Sequence, residues 1–169
     1  MPGETAYETD ILGWSEDQAE RLRRIARGER PNDVGLDWPN LIEEIEDVGK
    51  RERRAAMSLL NVALVHVLKA HGWPEHRDRD HWLLEAATAL LNLRRVVDSG
   101  MKQRLDLAEA YADAVEIVGL NKMNGSGPRS LPRSIPLAFN DIVPGTGVGA
   151  PELLARVAAA AEAEGAASP

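Results

Sequence analysis

A proline-free stretch from residue 40 to residue 73 constrains this chain more than any other feature. Asp37 stands where a helix N-cap belongs, and Pro39 falls in the first turn, where its missing N–H costs nothing. From there Leu41, Ile45, Val48, Ala55, Leu59, Val62, Ala63 and His66 recur at spacings of three, four and seven, the pattern of one buried helical face. Gly49 weakens the middle by ~1 kcal/mol relative to Ala, which allows a kink there. The helix ends at His71-Gly72-Trp73-Pro74, with Gly permitting a left-handed cap and Pro forbidding continuation.

Three further helices are expected. Ser15 with Gln18 three residues on reads as a capping box, opening a helix with Ala19, Leu22 and Ala26 as its apolar stripe and Gly28 at its end. Arg30 to Leu36 then reads as a polar linker. A third helix spans about Asp80 to Asp98, with Leu83, Ala86, Ala87, Leu90 and Val97 on one side. After Ser99-Gly100, a fourth from about Met101 to Val118 places Leu105, Ala108, Ala112 and Val115 together, with Tyr111 and Val118 beside them. β-Branched alternation is hardly visible before residue 135, so strands explain the pattern poorly.

Residues 121–150 change character: Asn124-Gly125-Ser126-Gly127-Pro128 is followed by Pro132, Pro136, Pro144, Gly145, Gly147 and Gly149. Such punctuation rules out a long helix and suggests an extended arm over the bundle, burying Leu131, Ile135, Leu137, Phe139, Ile142 and Val143. The Ala-rich tail from Pro151 to about Glu164 is expected to form a last, short helix before a disordered end. The expected fold class is therefore all-α. Residues 1–120 form a helical bundle of about four helices, 121–150 an extended Pro/Gly-rich C-terminal arm, and 151–169 the tail.

A length of 169 residues fits one domain that buries roughly 70% of its unfolded surface. The absence of Cys excludes disulfides, thiolate chemistry and Cys-ligated zinc. The opening residues carry neither a basic stretch nor an apolar segment of the secretory kind. The longest apolar run, Leu59 to Leu68, is interrupted by Asn61 and His66 and falls short of the ~20 residues that span a bilayer. A cytoplasmic location without membrane attachment is the resulting expectation. A net charge of −7 disfavours nucleic acid, whose affinity comes mostly from Lys and Arg. Basic residues do crowd at Arg21, Arg23, Arg24, Arg27 and Arg30, and again at Lys50, Arg51, Arg53 and Arg54. They read as solvated helix faces paired with nearby acids.

Several short patterns carry a resemblance. Tyr7-Glu8-Thr9-Asp10, Trp14, Gln18 and Ala19 resemble the opening of the bacterial family called domain of unknown function 29. Leu36-Asp37, Leu41-Ile42-Glu43-Glu44-Ile45-Glu46 and Gly49 are similar to its central motif, and Ser58, Leu59, Leu64, His66, Leu68 and Lys69 to the stretch after it. Tyr111, Ala114 and Leu131-Pro132 fit its C-terminal half more loosely. The resemblance spans roughly residues 7–143 and implies an almost entirely helical fold with no established activity.

Three constellations are candidates for chemistry. Glu43, Glu44 and Asp47 share a helix with Glu46 and suit a hard divalent cation such as Mg²⁺. Together with Glu75 and Asp78 they echo the acidic helices of all-α nucleotide pyrophosphohydrolases. The ordinary reading is that such acids offset a helix N-terminus and pair with Lys50 and Arg51. His66, His81 and Glu85 meet only if the second and third helices form a hairpin, and would then suit Zn²⁺. A lone His on an apolar stripe is more often a core residue bonded to a neighbour. Tyr7, Asp10 and Trp14 form the third set, with Asp10 holding a backbone turn, Trp14 sealing one end of the bundle, and a ligand pocket there as the sharper alternative.

No nucleophile has a credible partner, and no Gly-rich loop joins a strand to a helix. The leading expectation is a non-catalytic interaction or regulatory protein that needs no cofactor, forms a homo-oligomer (a dimer by preference) and docks a protein partner. The alternative is a metal-dependent enzyme using one of the acidic or histidine sets. Nucleic-acid binding through the Arg/Lys clusters ranks third.

Overall fold

The computed structural model describes residues 6–29, 35–143 and 147–167. Arg30, most of the expected linker, Pro144, Gly145 and the extreme tail lie outside the described residues. Eight helices account for most of these residues: α1 (Ala6–Thr9), α2 (Ile11–Ala26), α3 (Trp38–Gly72), α4 (Arg79–Val96), α5 (Ser99–Lys102), α6 (Leu107–Gly119), α7 (Phe139–Ile142) and α8 (Ala150–Ala167). No strand occurs among the described residues, only an isolated bridge between Met123 and Ser126. The all-α expectation holds.

The chain divides into two compact units, Met1–Arg51 and Glu52–Pro169. In the first, α2 begins four residues before the expected Ser15. Asp10 is its N-cap, accepting from the Gly13 N–H at 2.9 Å. Ser15 lies inside the helix and donates back to the Leu12 carbonyl, while the Gln18 side chain is buried and used elsewhere. A carboxylate three residues ahead of a small Gly outcompetes the hydroxyl for the same helix start. Gly28 ends the helix in the left-handed conformation, at φ 80°. α3 opens as expected: the Asp37 carbonyl accepts from Leu41 N–H and its carboxylate from Asn40. It continues through Gly49 to Gly72 without a break.

The second unit holds the main core. Here α3 is turned relative to the expected face. Ala56, Leu60, Ala63, Leu64, Val67 and Leu68 are buried, whereas Ala55 and Val62 are exposed and Leu59 and His66 only partly covered. Ile45 and Val48, earlier in the helix, are exposed as well. Almost every residue from Leu59 to Leu68 is apolar, so spacing alone does not choose between adjacent faces. By length and hydropathy α3 would also pass for a membrane span, but half of its most apolar stretch is buried inside the protein.

Gly72 is needed for space rather than for a left-handed cap. Its φ is not positive, and a Cβ there would come within 2.7 Å of the Pro128 Cβ. α4 returns after a turn at residues 73–78 and buries Trp82, Ala86, Ala89, Leu90 and Leu93. The expected fourth helix is two. Asp98 caps α5, and Asp106 caps α6 by accepting from the N–H groups of Ala108 and Glu109. This second cap resets the phase, so Ala110, Tyr111, Ala114 and Val118 are buried and the expected Ala108 and Ala112 are exposed.

The segment from Asn121 to Val143 packs onto this core with little regular structure of its own. Several of its carbonyls are met by side chains from elsewhere in the chain. Trp73 Nε1 donates to Ser126, His71 to Ser130, the Tyr111 hydroxyl to Pro132 and Arg156 to Pro136. Arg94 donates to the carbonyls of Ile142, Gly147 and Val148 at 2.7–2.9 Å. α8 then packs against α4, with its Leu153 and Val157 buried.

Candidate functional site

The family-like residues of the first unit are bonded to one another. Tyr7 and Trp14 meet edge-to-face with ring centroids 4.8 Å apart. The Tyr7 hydroxyl donates to Glu44 Oε1 at 2.8 Å, and this bond, with the charges of Glu44, Glu43 and Asp47, pushes its pKa up to about 12. Trp14 Nε1 donates to Asp37 Oδ2 at 3.3 Å. Gln18 works in both directions: its oxygen accepts from the Asp37 N–H at 2.8 Å, and its nitrogen faces Asp17 and the Gly35 carbonyl. One buried amide thus joins α2 to the start of α3.

Tyr7, Asp10 and Trp14 therefore do come together, and they line a cleft of about 310 Å³ with Gly13, Asp17 and Asp37. The carboxylates around it are already engaged. Asp10 holds the Gly13 N–H, Asp17 pairs with Arg21 at 2.6 Å, and Asp37 accepts from Asn40 and Trp14. The hydrogen bonds from Asn40 hold the Asp37 carboxyl below its ordinary value of 3.8. Its stabilising effect is complete above that value and is lost as the pH falls through the lowered one. Acidification below pH 3.8 should therefore release the Trp14 indole N–H before the core of the second unit changes. Two-dimensional NMR of the indole resonances checks this, and a Trp14 signal that shifts only with global unfolding would refute it.

The acidic set stays dispersed. Glu43 is exposed, Glu44 is held by Tyr7 and faces Arg51 at 3.5 Å, and Asp47 pairs with Lys50 at 3.0 Å. Glu75 and Asp78 lie in the turn after α3, not on a second helix, because Pro74 stops the helix ahead of them. The histidine set does not assemble either. His66 bonds the Val62 carbonyl of its own helix at 2.9 Å, His81 is exposed, and Glu85 is half-buried. His76 instead stacks on Trp82 at 4.8 Å. Among the described residues no three His, Asp or Glu side chains converge as a metal site.

The arginine crowding on α2 is neutralised locally. Arg21 pairs with Asp17, Arg23 with Glu20, and Arg24 and Arg27 with Glu29. The acids of α6 (Glu109, Asp113 and Glu116) are exposed, with Asp106 as its cap. These are the solvated faces expected of amphipathic helices.

Apolar side chains left uncovered on the first half of α3 gave a weaker signal in the sequence. Trp38 is 48% exposed, Ile42 55%, Ile45 70% and Val48 57%. At 100° per residue they fall within an arc of about 120°, on the flank where only Leu41 is covered. Their three- and four-residue spacing is legible, but it reads as a core face.

A family model described as "Domain of unknown function DUF29" matches residues 6–145. The crystal structure of an alpha-helical protein of unknown function from Rhodospirillum rubrum is similar at 29% identity and a TM-score of 0.66. The match covers 92% of this chain and 99% of that one. No curated protein matches the chain.

Proposed function

The chain belongs to the DUF29 family across residues 6–145, and on that premise we propose that it is a non-catalytic interaction module that pairs with a second copy of itself through α3. The observation that carries this reading is the arc of Trp38, Ile42, Ile45 and Val48, four large apolar side chains that are about half or more exposed on one helix face. Contiguous apolar surface of this kind marks interaction sites.

Charge argues for a second copy as the occupant. Along α3 the acids Glu43, Glu44, Glu46 and Asp47 are followed by Lys50, Arg51, Arg53 and Arg54, with Glu52 as the one acid among them. Two such helices laid antiparallel place Glu44 and Glu46 of each, which flank the apolar arc, beside Arg51 and Arg53 of the other. That is the self-complementarity a two-fold interface requires. Gly49 falls near the point where the helices cross and adds no bulk there. Burying a large apolar side chain contributes ~1.5–3 kcal/mol when complete and less from partial exposure. Against the cost of association, a dissociation constant on the order of micromolar is expected.

Light scattering behind size-exclusion chromatography tests the reading. Wild-type protein at about 100 μM, well above such a constant, should run as a dimer, and Ile45→Glu should run as a monomer with unchanged helical circular dichroism. A monomeric wild type, or a dimer indifferent to Ile45→Glu, would sink the proposal and leave the face to a different protein partner.

A further inference from the structure

A second cavity, of about 310 Å³, lies entirely within the second unit and is lined by basic groups. Arg79, Arg129 and His71 border it, with Pro74, Pro151 and Leu154 among its apolar walls. Arg79 Nε is buried and has no hydrogen-bond partner. Leaving such a group unmet inside a protein costs about 1–3 kcal/mol, and more for a charged one. Among the described residues no carboxylate pairs with either Arg79 or Arg129, whereas seven other arginines of this acidic chain pair with an acid.

The backbone that carries these groups is held in place. Arg129 N–H donates to the Gly72 carbonyl at 2.9 Å, and Pro128 fills the space a side chain at residue 72 would need. His71 Nε2 donates to the Ser130 carbonyl at 3.1 Å, since a carbonyl only accepts, so its Nδ1 is the nitrogen left to respond to a bound charge. Arg79 opens α4 and Pro151 sits in the first turn of α8, so two helix N-termini border the cavity and add partial positive charge. The C-terminal end of α3 offsets part of this.

We propose that this cavity binds a small organic oxyanion. Its carboxylate or phosphate head is gripped by the guanidinium groups of Arg79 and Arg129, and its short apolar body rests on Pro74, Pro151 and Leu154. Guanidinium matches both heads because its parallel N–H groups meet two oxygens at once. The volume suits a body of a few carbons.

NMR titration of the full chain with butyrate, inorganic phosphate and chloride at matched ionic strength tests the site, reading the Arg79 Nε–H and the His71 ring. Butyrate or phosphate should give a saturable shift at both that chloride does not. The stronger of the two identifies the head as carboxylate or phosphate. Arg129→Gln, on the exposed arm, should weaken binding roughly tenfold or more, the scale of one charge-assisted hydrogen bond, while Arg95→Gln on the exposed side of α4 should not. Arg79→Lys, which keeps the charge but loses the fork, should weaken it as well. Equal responses to chloride and butyrate, or binding unaffected by Arg129→Gln, would overturn the assignment.

Discussion

Arg94→Met is expected to lower the unfolding free energy by about 3 kcal/mol or more, which for a chain of this size lowers the melting temperature by roughly 6–12 °C. Arg94 alone supplies three donors to the carbonyls of Ile142, Gly147 and Val148. A hydrogen bond from a charged group contributes about 1.5–3 kcal/mol, and its removal leaves the carbonyls to find water or remain unmet. Met preserves the apolar stem of the side chain, so the loss is chiefly that of the guanidinium. The segment also closes on itself, with Val148 N–H donating to the Asp141 carbonyl at 2.6 Å and Gly147 leaving no room for a Cβ against the Ile142 carbonyl. Urea denaturation measures the effect. A change below about 1 kcal/mol would show that apolar packing of Ile142 and Val143 holds this segment without help.

Leu68→Ala should cost about 2–5 kcal/mol, a large share of the 5–15 kcal/mol that stabilises a typical domain. Leu68 has no exposed surface and belongs to the cluster formed with Leu64, Leu90, Leu93 and Val118. Deleting three side-chain carbons there opens a cavity that close-packed neighbours fill only partly. Ile45→Ala, at a position 70% exposed, should by contrast move stability by less than about 0.5 kcal/mol when measured on the monomer. The pair reads out the rotation of α3 directly. A neutral Leu68→Ala beside a costly Leu59→Ala would mean that the helix presents the other face to its core.

That rotation is the main part of the fold that periodicity did not disclose. Helix limits were legible wherever a local chemical signal marked them: Asp37 before Pro39, Gly28 after α2, Gly72-Trp73-Pro74 after α3. Phase was not, because Leu59 to Leu68 offers apolar residues to two adjacent faces and only the partner helices choose between them. Ser15 was misleading for a related reason. Its hydroxyl and the Asp10 carboxylate both suit a helix start; Asp10 takes the cap, and the Gln18 expected to complete the Ser15 box is bonded instead to Asp37, a contact at long range in sequence.

The candidate sites divide in the same way. Tyr7, Asp10 and Trp14 stand out through the resemblance, and the structure does join them, chiefly to hold α1, α2 and the start of α3 together. Glu43, Glu44 and Asp47, like His66, His81 and Glu85, have the right chemistry for metal, but neither set converges among the described residues. The Arg79, Arg129 and His71 group has no sequence signature at all. Its members come from three segments, and an arginine without an acid becomes visible only once its neighbours are in place.

The arm from Asn121 to Val143 is fastened by donors that lie outside it: Trp73, His71, Tyr111, Arg94 and Arg156. They reach for its carbonyl oxygens, which every amino acid carries alike. Over evolutionary time its side chains are thus free to drift wherever they are not packed against the core, provided the prolines and glycines that set its path persist. The donors around it, not the arm's own side chains, then set where it lies, and related chains should preserve those five donors even where the arm has become unrecognisable.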